Sequence, residues 1–166
     1  MSLRNLVLTL LSGTLIAAGP ALAEQAQHTM TKSIDVTMDY LLDLPAGYDE
    51  AAEGETFPLV VYLHGGGAAD LDSLAEQFLP TQVADMEDLP FIMVSPRNPR
   101  EDEFFPQEYV DAVVDEIVAT EKVDADRVYL VGYSRGAFTA LQMIQNYPGD
   151  YAAVVSVAGG GMPHYL

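Results

Sequence analysis

Residues 128–136 have the sequence Val-Tyr-Leu-Val-Gly-Tyr-Ser-Arg-Gly, an apolar run that ends in a Gly-x-Ser-x-Gly pattern. Its first four residues are typical of a strand that is buried on both faces of a parallel sheet. The residues after Gly136 have the pattern of a helix that stops at Pro148-Gly149. A serine between a buried strand and a helix lies on a sharp turn, which requires glycine two positions before and after it. The pattern therefore predicts that Ser134 is exposed at the carboxyl end of a strand, as a nucleophile would be.

A second glycine motif follows another apolar strand candidate. Residues 57–63 run directly into His64-Gly65-Gly66-Gly67. Consecutive glycines leave backbone N–H groups unshielded, so one amide of this loop and the amide of Arg135 are suited to bind the oxyanion of a tetrahedral intermediate. No Lys-Ser or Lys-Thr pair follows the glycines, which argues against a phosphate loop. His64 lies on a different strand end and precedes the serine, which favours a structural role over that of the catalytic base.

The remaining segments complete an alternation of strands and helices. The hydrophobic pattern predicts strands over 34–44, 91–95 and 151–158, helices over 72–79 and 106–122, and a turn at 124–126. Alternating strands and helices imply βα units and a parallel sheet with helices on both faces. We therefore predict a three-layer α/β sandwich with a mostly parallel sheet, in which ligands bind at the carboxyl ends of the strands.

Composition excludes several classes of function. The 166 residues allow one domain, and 49% of them are hydrophobic, enough for a sizeable core. The 25 acidic side chains outnumber the 7 basic ones, for a net charge of -18, so the basic surface of a nucleic-acid-binding protein is missing. Cysteine is absent, which excludes disulfides and thiolate chemistry. The acid excess is typical of a soluble surface or of adaptation to a salty exterior.

The first 23 residues have the pattern of a secretory signal peptide. Arg4 gives a basic start, residues 6–18 are apolar, and Ala21-Leu22-Ala23 forms a small-x-small cleavage site. The apolar run is shorter than the roughly 20 residues that span a bilayer. The sequence thus predicts export to the periplasm or the exterior, cleavage before Glu24, no membrane anchor afterwards, and one folded domain over residues 24–166.

These motifs resemble those of the α/β-hydrolase family, most closely of exported esterases described as dienelactone-hydrolase-like, phospholipase/carboxylesterase-like or polyhydroxybutyrate-depolymerase-like. The likeness covers nearly all of the chain after residue 23 and lies in residues 40–48, 57–67, 126–136 and 152–161. It implies that Ser134 attacks the carbonyl of a small or polymeric ester, without metal or cofactor. It also implies that the amides of Gly66 and Arg135 bind the oxyanion, with Gly65 and Gly67 as alternatives.

The triad partners are less evident than the serine. In the family, an acid and a histidine follow the serine on later strand ends. The acid and the histidine that follow Gly136 here are Asp150 and His164. Asp150 precedes the last strand, at the edge of the sheet opposite Ser134, and is interpreted as a turn residue. His164 follows that strand on the correct edge, and neighbouring strands lie ~4.8 Å apart. His164 is therefore the candidate base, although no acid to orient it is evident.

Two hypotheses about function follow. The first is a serine ester hydrolase, with peptide cleavage as a variant. The second is a non-catalytic product, either a truncated hydrolase or an interaction module. We interpret the chain as the N-terminal part of a longer hydrolase, because the last strand is apolar on both faces and an uncovered edge would favour self-association.

Several residues near the predicted site have two interpretations. The acids at 101–103 lie between prolines and are interpreted as a solvated loop, with metal binding or a substitute acid as the alternative. Tyr133, Phe104 and Phe105 are candidates either for lining a pocket or for the core. The residues do not specify which ester is the substrate.

Overall fold

We describe the fold from a computed structural model, which covers residues 26–160. Of these, residues 35–160 belong to one compact unit, and residues 26–34 belong to another. Residues 26–34 have no regular secondary structure. The predicted signal peptide and His164 lie outside the described residues.

A mixed sheet forms the centre of the compact unit. Within residues 26–160 its strands are β1 (Tyr40–Asp43), β2 (Phe57–Leu63), β3 (Ile92–Pro96), β4 (Val123–Tyr133) and β5 (Ala153–Val157). Their order across the sheet is β1-β3-β2-β4-β5. β1 pairs antiparallel with β3, whereas the other neighbouring pairs are parallel. The prediction of a mostly parallel sheet is therefore confirmed.

Helices cover both faces of this sheet. In the described part of the chain they are α1 (Leu71–Ala75), α2 (Phe78–Ala84), α3 (Gln107–Thr120) and α4 (Arg135–Asn146). Alternate residues of β2 face opposite ways: Leu59 and Val61 belong to the core cluster that contains α3 and α4, whereas Tyr62 packs with residues of α1 and α2. All three are fully or almost fully buried. This alternation produces the three layers that the strand and helix pattern predicts.

Three local predictions differ from the structure. The first strand begins at Tyr40 rather than at residue 34, because its antiparallel ladder with β3 ends at the pair Tyr40 and Pro96 and the preceding residues have no strand beside them. The helix predicted over 72–79 is two short helices, and the second of them, α2, continues past Leu79 through Pro80 to Ala84. Pro80 is the third residue of α2, where its missing N–H has no partner to lose.

The acidic turn predicted at 124–126 lies inside β4. The register between β2 and β4 jumps from the pair Phe57 and Val123 to the pair Leu59 and Val128, so the intervening residues bulge out of the ladder. Asp124 closes this bulge by accepting hydrogen bonds from the Asp126 amide at 3.0 Å and from Nε of Arg127 at 2.6 Å. The turn-forming residues therefore make an irregularity within the strand instead of a turn before it. No helix in residues 26–160 is long and apolar enough to cross a membrane.

Candidate active site

Ser134 occupies a strained turn between β4 and α4. Its backbone angles are φ 48° and ψ −112°, a conformation that costs a non-glycine residue roughly 1–3 kcal/mol. The turn is held by a hydrogen bond of 2.8 Å from the Ser134 amide to the carbonyl of Val157, at the end of β5. Ala158, the next residue, also has a positive φ of 54°. The serine side chain makes no capping hydrogen bond to α4 and is partly exposed, so its hydroxyl is available for chemistry.

The two flanking glycines are required by close contacts on opposite sides of the turn. A Cβ at Gly132 would lie 2.5 Å from the Cα of Ala137, inside the first turn of α4. A Cβ at Gly136 would overlap the carbonyl of Leu63, at the end of β2, and would lie 2.7 Å from the carbonyl oxygen of His64. The reason given for the Gly-x-Ser-x-Gly spacing is thus confirmed. Because Gly136 has no side chain, α4 can contact the end of β2, the strand that precedes the second glycine motif.

The structure brings the two glycine motifs together. A Cβ at Gly65 would lie 3.3 Å from Cβ of Ser134 and 2.9 Å from Cδ1 of Tyr133, so this glycine allows the loop to approach the serine. A Cβ at Gly66 would lie 3.3 Å from Nη2 of Arg135. Gly67 has a φ of 93°, which glycine adopts readily. The loop after β2 therefore lies directly beside the serine turn, as the sheet order requires.

His64 orients the glycine loop from behind. Its Nδ1 lies 2.5 Å from the carbonyl oxygen of Gly65, and its Nε2 accepts a hydrogen bond of 2.9 Å from the amide of Asn98. A ring that accepts at Nε2 is neutral with its proton on Nδ1, so Nδ1 donates to Gly65. Because the peptide unit is planar and trans, the N–H of Gly66 points away from His64. These contacts support the predicted structural role of His64.

Burial keeps the His64 ring neutral. The side chain is 3% exposed, and its ring packs edge-on against Phe105 at 4.9 Å between centroids. Desolvation lowers the pKa of His64, and the nearby charges of Arg135 and Arg97 lower it further, against an opposing effect of the Gly65 carbonyl. A ring without a proton on Nε2 is the form that accepts the hydrogen bond from the Asn98 amide. The pKa shift therefore favours the same state as the hydrogen bonds.

Arg97 and Asn98, in the segment after β3, also support the loop after β2. This role was not predicted from the sequence. Besides the Asn98 amide that reaches His64, Nη1 of Arg97 donates to the carbonyl of Ala69 at 3.1 Å. Nη2 of Arg97 lies 3.3 Å from the carboxylate of Asp39. The available signal was an arginine and an asparagine directly after a buried strand, at the sheet edge where the other motifs also lie. Arg97 and Asn98 thus connect the loop after β2 to the start of β1 and the end of β3.

The amino end of α4 supplies a further backbone donor. The amides of Ala137 and Phe138 donate to the carbonyl of Ser134, and the Ser134 amide is used by β5. Arg135 is the first residue of the helix, so its amide has no acceptor within the helix. The helix dipole adds a positive potential at this position. The Arg135 amide can therefore donate a hydrogen bond to an anion beside Ser134.

His64 is not available as a general base for Ser134. Both ring nitrogens of His64 are engaged with Gly65 and Asn98. His164 lies outside the described residues. Asp150 lies ahead of β5, at the opposite end of the sheet from Ser134, which confirms its interpretation as a turn residue.

The acidic loop at 101–103 is exposed, as predicted. Glu103 pairs with Arg100 at 3.4 Å, on the surface. A cavity of about 160 Å³ lies next to the glycine loop, between Arg135 and the carboxylates of Glu101 and Asp102. Among residues 26–160, no cluster of three or more acids and histidines could hold a metal ion.

The three aromatic candidates differ in their surroundings. Phe105 is buried against His64, whereas Phe104 is 50% and Tyr133 is 40% exposed. Phe104 contacts Phe138 of α4 at 5.9 Å between ring centroids. Phe105 is thus a core residue, whereas Phe104 and Tyr133 are surface residues beside the serine turn.

Comparison with known proteins agrees with this geometry. Residues 58–165 match the family described as "alpha/beta hydrolase fold". The chain belongs to this family. Its strained serine turn and glycine loop thus lie on an α/β-hydrolase sheet, as the resemblance implied.

Individual relatives extend the comparison. The chain is 31% identical over 137 residues to "Putative esterase NocK" of Nocardia uniformis subsp. tsuyamanensis, and the match covers 74% of the chain but 38% of NocK. An acetyl xylan esterase from Aspergillus awamori superposes with a TM-score of 0.59 at 16% identity, over 79% of the chain and 52% of the esterase. A thermostable esterase superposes with a TM-score of 0.58 at 21% identity, over 77% of the chain and 38% of the esterase. The chain therefore spans 38% to 52% of the length of these α/β-hydrolase relatives.

Proposed function

We propose that this chain carries the nucleophile and the oxyanion-binding part of a serine-dependent carboxylic ester hydrolase. The observation that carries the proposal is the strained, partly exposed Ser134, at φ 48°, directly beside the loop of Gly65 and Gly66. Strain of this kind persists only where surrounding contacts impose it, and it concentrates at functional sites. The name of NocK, which describes an esterase, supports the same class of reaction.

In the proposed reaction, Oγ of Ser134 attacks the ester carbonyl carbon, and the carbonyl oxygen becomes the oxyanion. The amides of Gly66 and Arg135 donate to that oxygen. The Gly66 N–H points away from His64, because the carbonyl of the same peptide unit faces the His64 ring. The Arg135 N–H has no acceptor within α4. Gly65 and Gly67 stay as the alternatives for the loop donor. The alcohol leaves with a proton, and water then hydrolyses the acyl-enzyme to a carboxylic acid and free serine. His164 stays a candidate acceptor of the Ser134 proton.

Hydrolysis of a short-chain aryl ester tests the proposal. The purified chain should release the phenol, and Ser134→Ala should lower kcat by up to ~10⁶-fold, because the nucleophile is lost while the oxyanion donors stay. Ser156→Ala is the matched control, since it removes a hydroxyl from β5 and should leave the rate unchanged. A Ser134→Ala variant as active as the parent would contradict the role of the serine.

The strain at Ser134 allows a second, independent measurement. Glycine tolerates a positive φ, so Ser134→Gly should be about 1 kcal/mol more stable than Ser134→Ala in denaturant titrations, although both lack activity. Equal stability of the two variants would show that the turn is not strained in solution. His164→Ala tests the base separately: a retained rate in this variant would exclude His164.

A second candidate function is an interaction module that associates through β5. In the described part of the chain, β5 pairs with β4 alone, and Val155 and Val157 are 53% and 42% exposed. An apolar edge strand of this kind favours pairing with another chain. Sedimentation should then show a concentration-dependent dimer that Val155→Lys abolishes. A monomer at all concentrations, together with serine-dependent turnover, would favour the hydrolase.

Export stays a prediction of the first 23 residues. Expression in a bacterial host should yield a mature protein that begins at Glu24 and is recovered from the periplasm or the medium. Mass spectrometry of the intact protein checks the cleavage site, and a cytosolic protein that retains Arg4 would contradict it.

A further inference from the structure

One cavity extends along α4 and is not lined by the serine. It has a volume of about 750 Å³ and is lined mainly by the loop before α3, the start of α3 and the outer face of α4. This volume is within the range of small-molecule binding sites. Nothing in the proposed ester cleavage uses these residues. We call this cavity the α4 groove.

The α4 groove lies along the helix that follows the serine turn. Phe138, Gln142 and Asn146 follow Ser134 at intervals of four residues, so all three lie along one side of the helix. With a rise of 1.5 Å per residue, Gln142 lies about 12 Å and Asn146 about 18 Å along the axis from Ser134. Asp102 lines both this groove and the smaller cavity beside Arg135. A ligand that fills the groove from the serine is therefore an extended one.

Three linked primary amides give the groove its chemistry. Nε2 of Gln107 donates to Oε1 of Gln142 at 3.1 Å, and Nδ2 of Asn146 donates to Oε1 of Gln107 at 2.8 Å. Each primary amide has two N–H donors and an oxygen with two lone pairs, so these bonds fix the amide planes and leave other donors and acceptors free. The groove therefore offers both kinds of hydrogen-bonding partner at fixed positions.

An exposed aromatic ring lies at the same groove. Phe104 is 50% exposed, and its ring is supported by Phe138 at 5.9 Å between centroids. Charged side chains surround it, among them Arg100, Glu103 and Glu108. A fatty acyl chain would leave these charges and amides without partners, which is costly. An exposed apolar ring among fixed donors and acceptors fits a ligand that has both C–H faces and hydroxyl groups.

We infer that the α4 groove binds a polyhydroxylated chain, a carbohydrate, and that this chain is the alcohol part of the ester. The second half of this inference rests on the proposed function of Ser134. Hydroxyl groups both donate and accept, as the amides of Gln107, Gln142 and Asn146 do, and the C–H face of a sugar ring packs on Phe104. The acyl group then lies at Ser134, and the sugar chain extends along α4.

Calorimetric titration of the full 166-residue chain tests the binding without any turnover. The probes are neutral hexasaccharides of β-1,4-linked glucose, xylose or mannose, beside hexaethylene glycol and an uncharged hexapeptide of similar length. At least one hexasaccharide should bind saturably, and neither of the other probes should. Binding of the hexapeptide in preference to every sugar, or saturable binding of none of the sugars, would overturn the inference.

Two variants locate the binding. Gln142→Leu and Phe104→Ala should each weaken sugar binding by about five- to tenfold, the effect of a lost hydrogen bond or apolar contact. Gln82→Leu makes the same change on an exposed residue of α2 and should bind as the parent does. Phe104 is half exposed, so its variant folds even if the Gln142 variant does not. Unchanged binding by folded Phe104→Ala and Gln142→Leu would place the sugar elsewhere and overturn the assignment.

Kinetics separate this inference from the proposed function. On an acetylated oligosaccharide, Gln142→Leu should raise KM by about fivefold with little change in kcat, whereas its kcat/KM on a small aryl ester should match that of the parent. Activity on the aryl ester without any sugar binding would overturn the groove assignment and leave the serine hydrolase intact. Sugar binding without any ester hydrolysis would overturn the proposed function and leave the groove.

Discussion

Strands β2 and β5 have similar apolar sequences but very different surroundings. β2 lies between β3 and β4, and its residues Leu59, Val61 and Leu63 are fully buried. β5 has β4 on one side and no strand on the other in the described part of the sheet, and its Val155 is 53% exposed. The difference teaches that an apolar strand is buried only where neighbouring strands and helices cover it.

The exposed strand nevertheless supports the candidate site. The carbonyl of Val157 accepts from the amide of Ser134, and a Cβ at Gly159 would overlap the side chain of Ala137 in α4. β2, in contrast, carries the glycine loop and is held on both sides. The strained serine turn is therefore fixed jointly by a central, largely buried strand and by the most exposed strand of the described sheet, and variants on each side test this division.

The largest effect is expected where α4 contacts the end of β2. Gly136→Ala places a methyl group on the backbone carbonyl of Leu63, which cannot move without disturbing the sheet, and should lower the free energy of unfolding by about 3 kcal/mol. Gly66→Ala meets only the mobile end of the Arg135 side chain and should cost less than about 1 kcal/mol. Urea titration of both variants measures the difference. Similar costs would mean that this contact is not tightly packed.

A matched pair of valines measures the contrast between the strands directly. Val61→Ala in β2 should cost about 2–3 kcal/mol, because it leaves a cavity in a fully buried position. Val155→Ala in β5 removes the same atoms from a half-exposed side chain and should cost less than about 1 kcal/mol. Chemical denaturation gives both values. If Val155→Ala costs as much as Val61→Ala, β5 is covered in solution.

A pH dependence tests the support behind the glycine loop. Burial lowers the pKa of His64 from 6.5, so the unfolded chain takes up this proton at a higher pH than the folded chain. The contribution of His64 to stability is complete above about pH 6.5 and is lost as the pH falls toward the lowered pKa, by at most ~1.4 kcal/mol per pH unit. His64→Gln has no such proton. The stability difference between parent and variant should shrink between pH 7 and pH 5, and a constant difference would contradict a buried neutral ring.

The smallest effect is expected at the opposite edge of the sheet. Asp39→Asn removes the charge that faces Arg97 at 3.3 Å, but the carboxylate is well exposed, so the loss should be about 0.5 kcal/mol or less. Arg97→Met also removes the hydrogen bond to Ala69 and should cost more. A double-mutant cycle in denaturant isolates the pair. A coupling above about 1 kcal/mol would mean that the ion pair, and not the hydrogen bond, holds the loop.

Much of this architecture was predictable from local patterns. The buried strands β2 to β4, helices α3 and α4 and the serine turn follow from apolar runs, helical periodicity and glycine spacing. The strand expected over 34–39 was wrong, because alternation alone does not show whether a partner strand is present. The helix predicted over 72–79 ended too early, since α2 includes Pro80 in its first turn, where a proline is tolerated.

The site was predictable in its parts but not in its contacts. Ser134 and the glycine loop were evident, whereas Arg97 and Asn98 were not, because nothing local indicates that a residue after β3 will bind the back of a loop after β2. The same holds for Gln107 and Gln142, which are far apart in sequence and joined only by the packing of α3 on α4.

The sequence by itself determined the α/β class, the strained position of Ser134 and the glycines that flank it, because these depend on local backbone geometry and hydrophobic periodicity. Only the tertiary structure decided that Nε2 of His64 accepts a hydrogen bond from the Asn98 amide, that the Ser134 amide donates to the carbonyl of Val157, and that β2 is buried while β5 is exposed. These features depend on contacts between residues distant in sequence, 34 positions apart for His64 and Asn98, or on the order of strands in the sheet. No local pattern encodes such contacts, since they form only when the sheet is assembled.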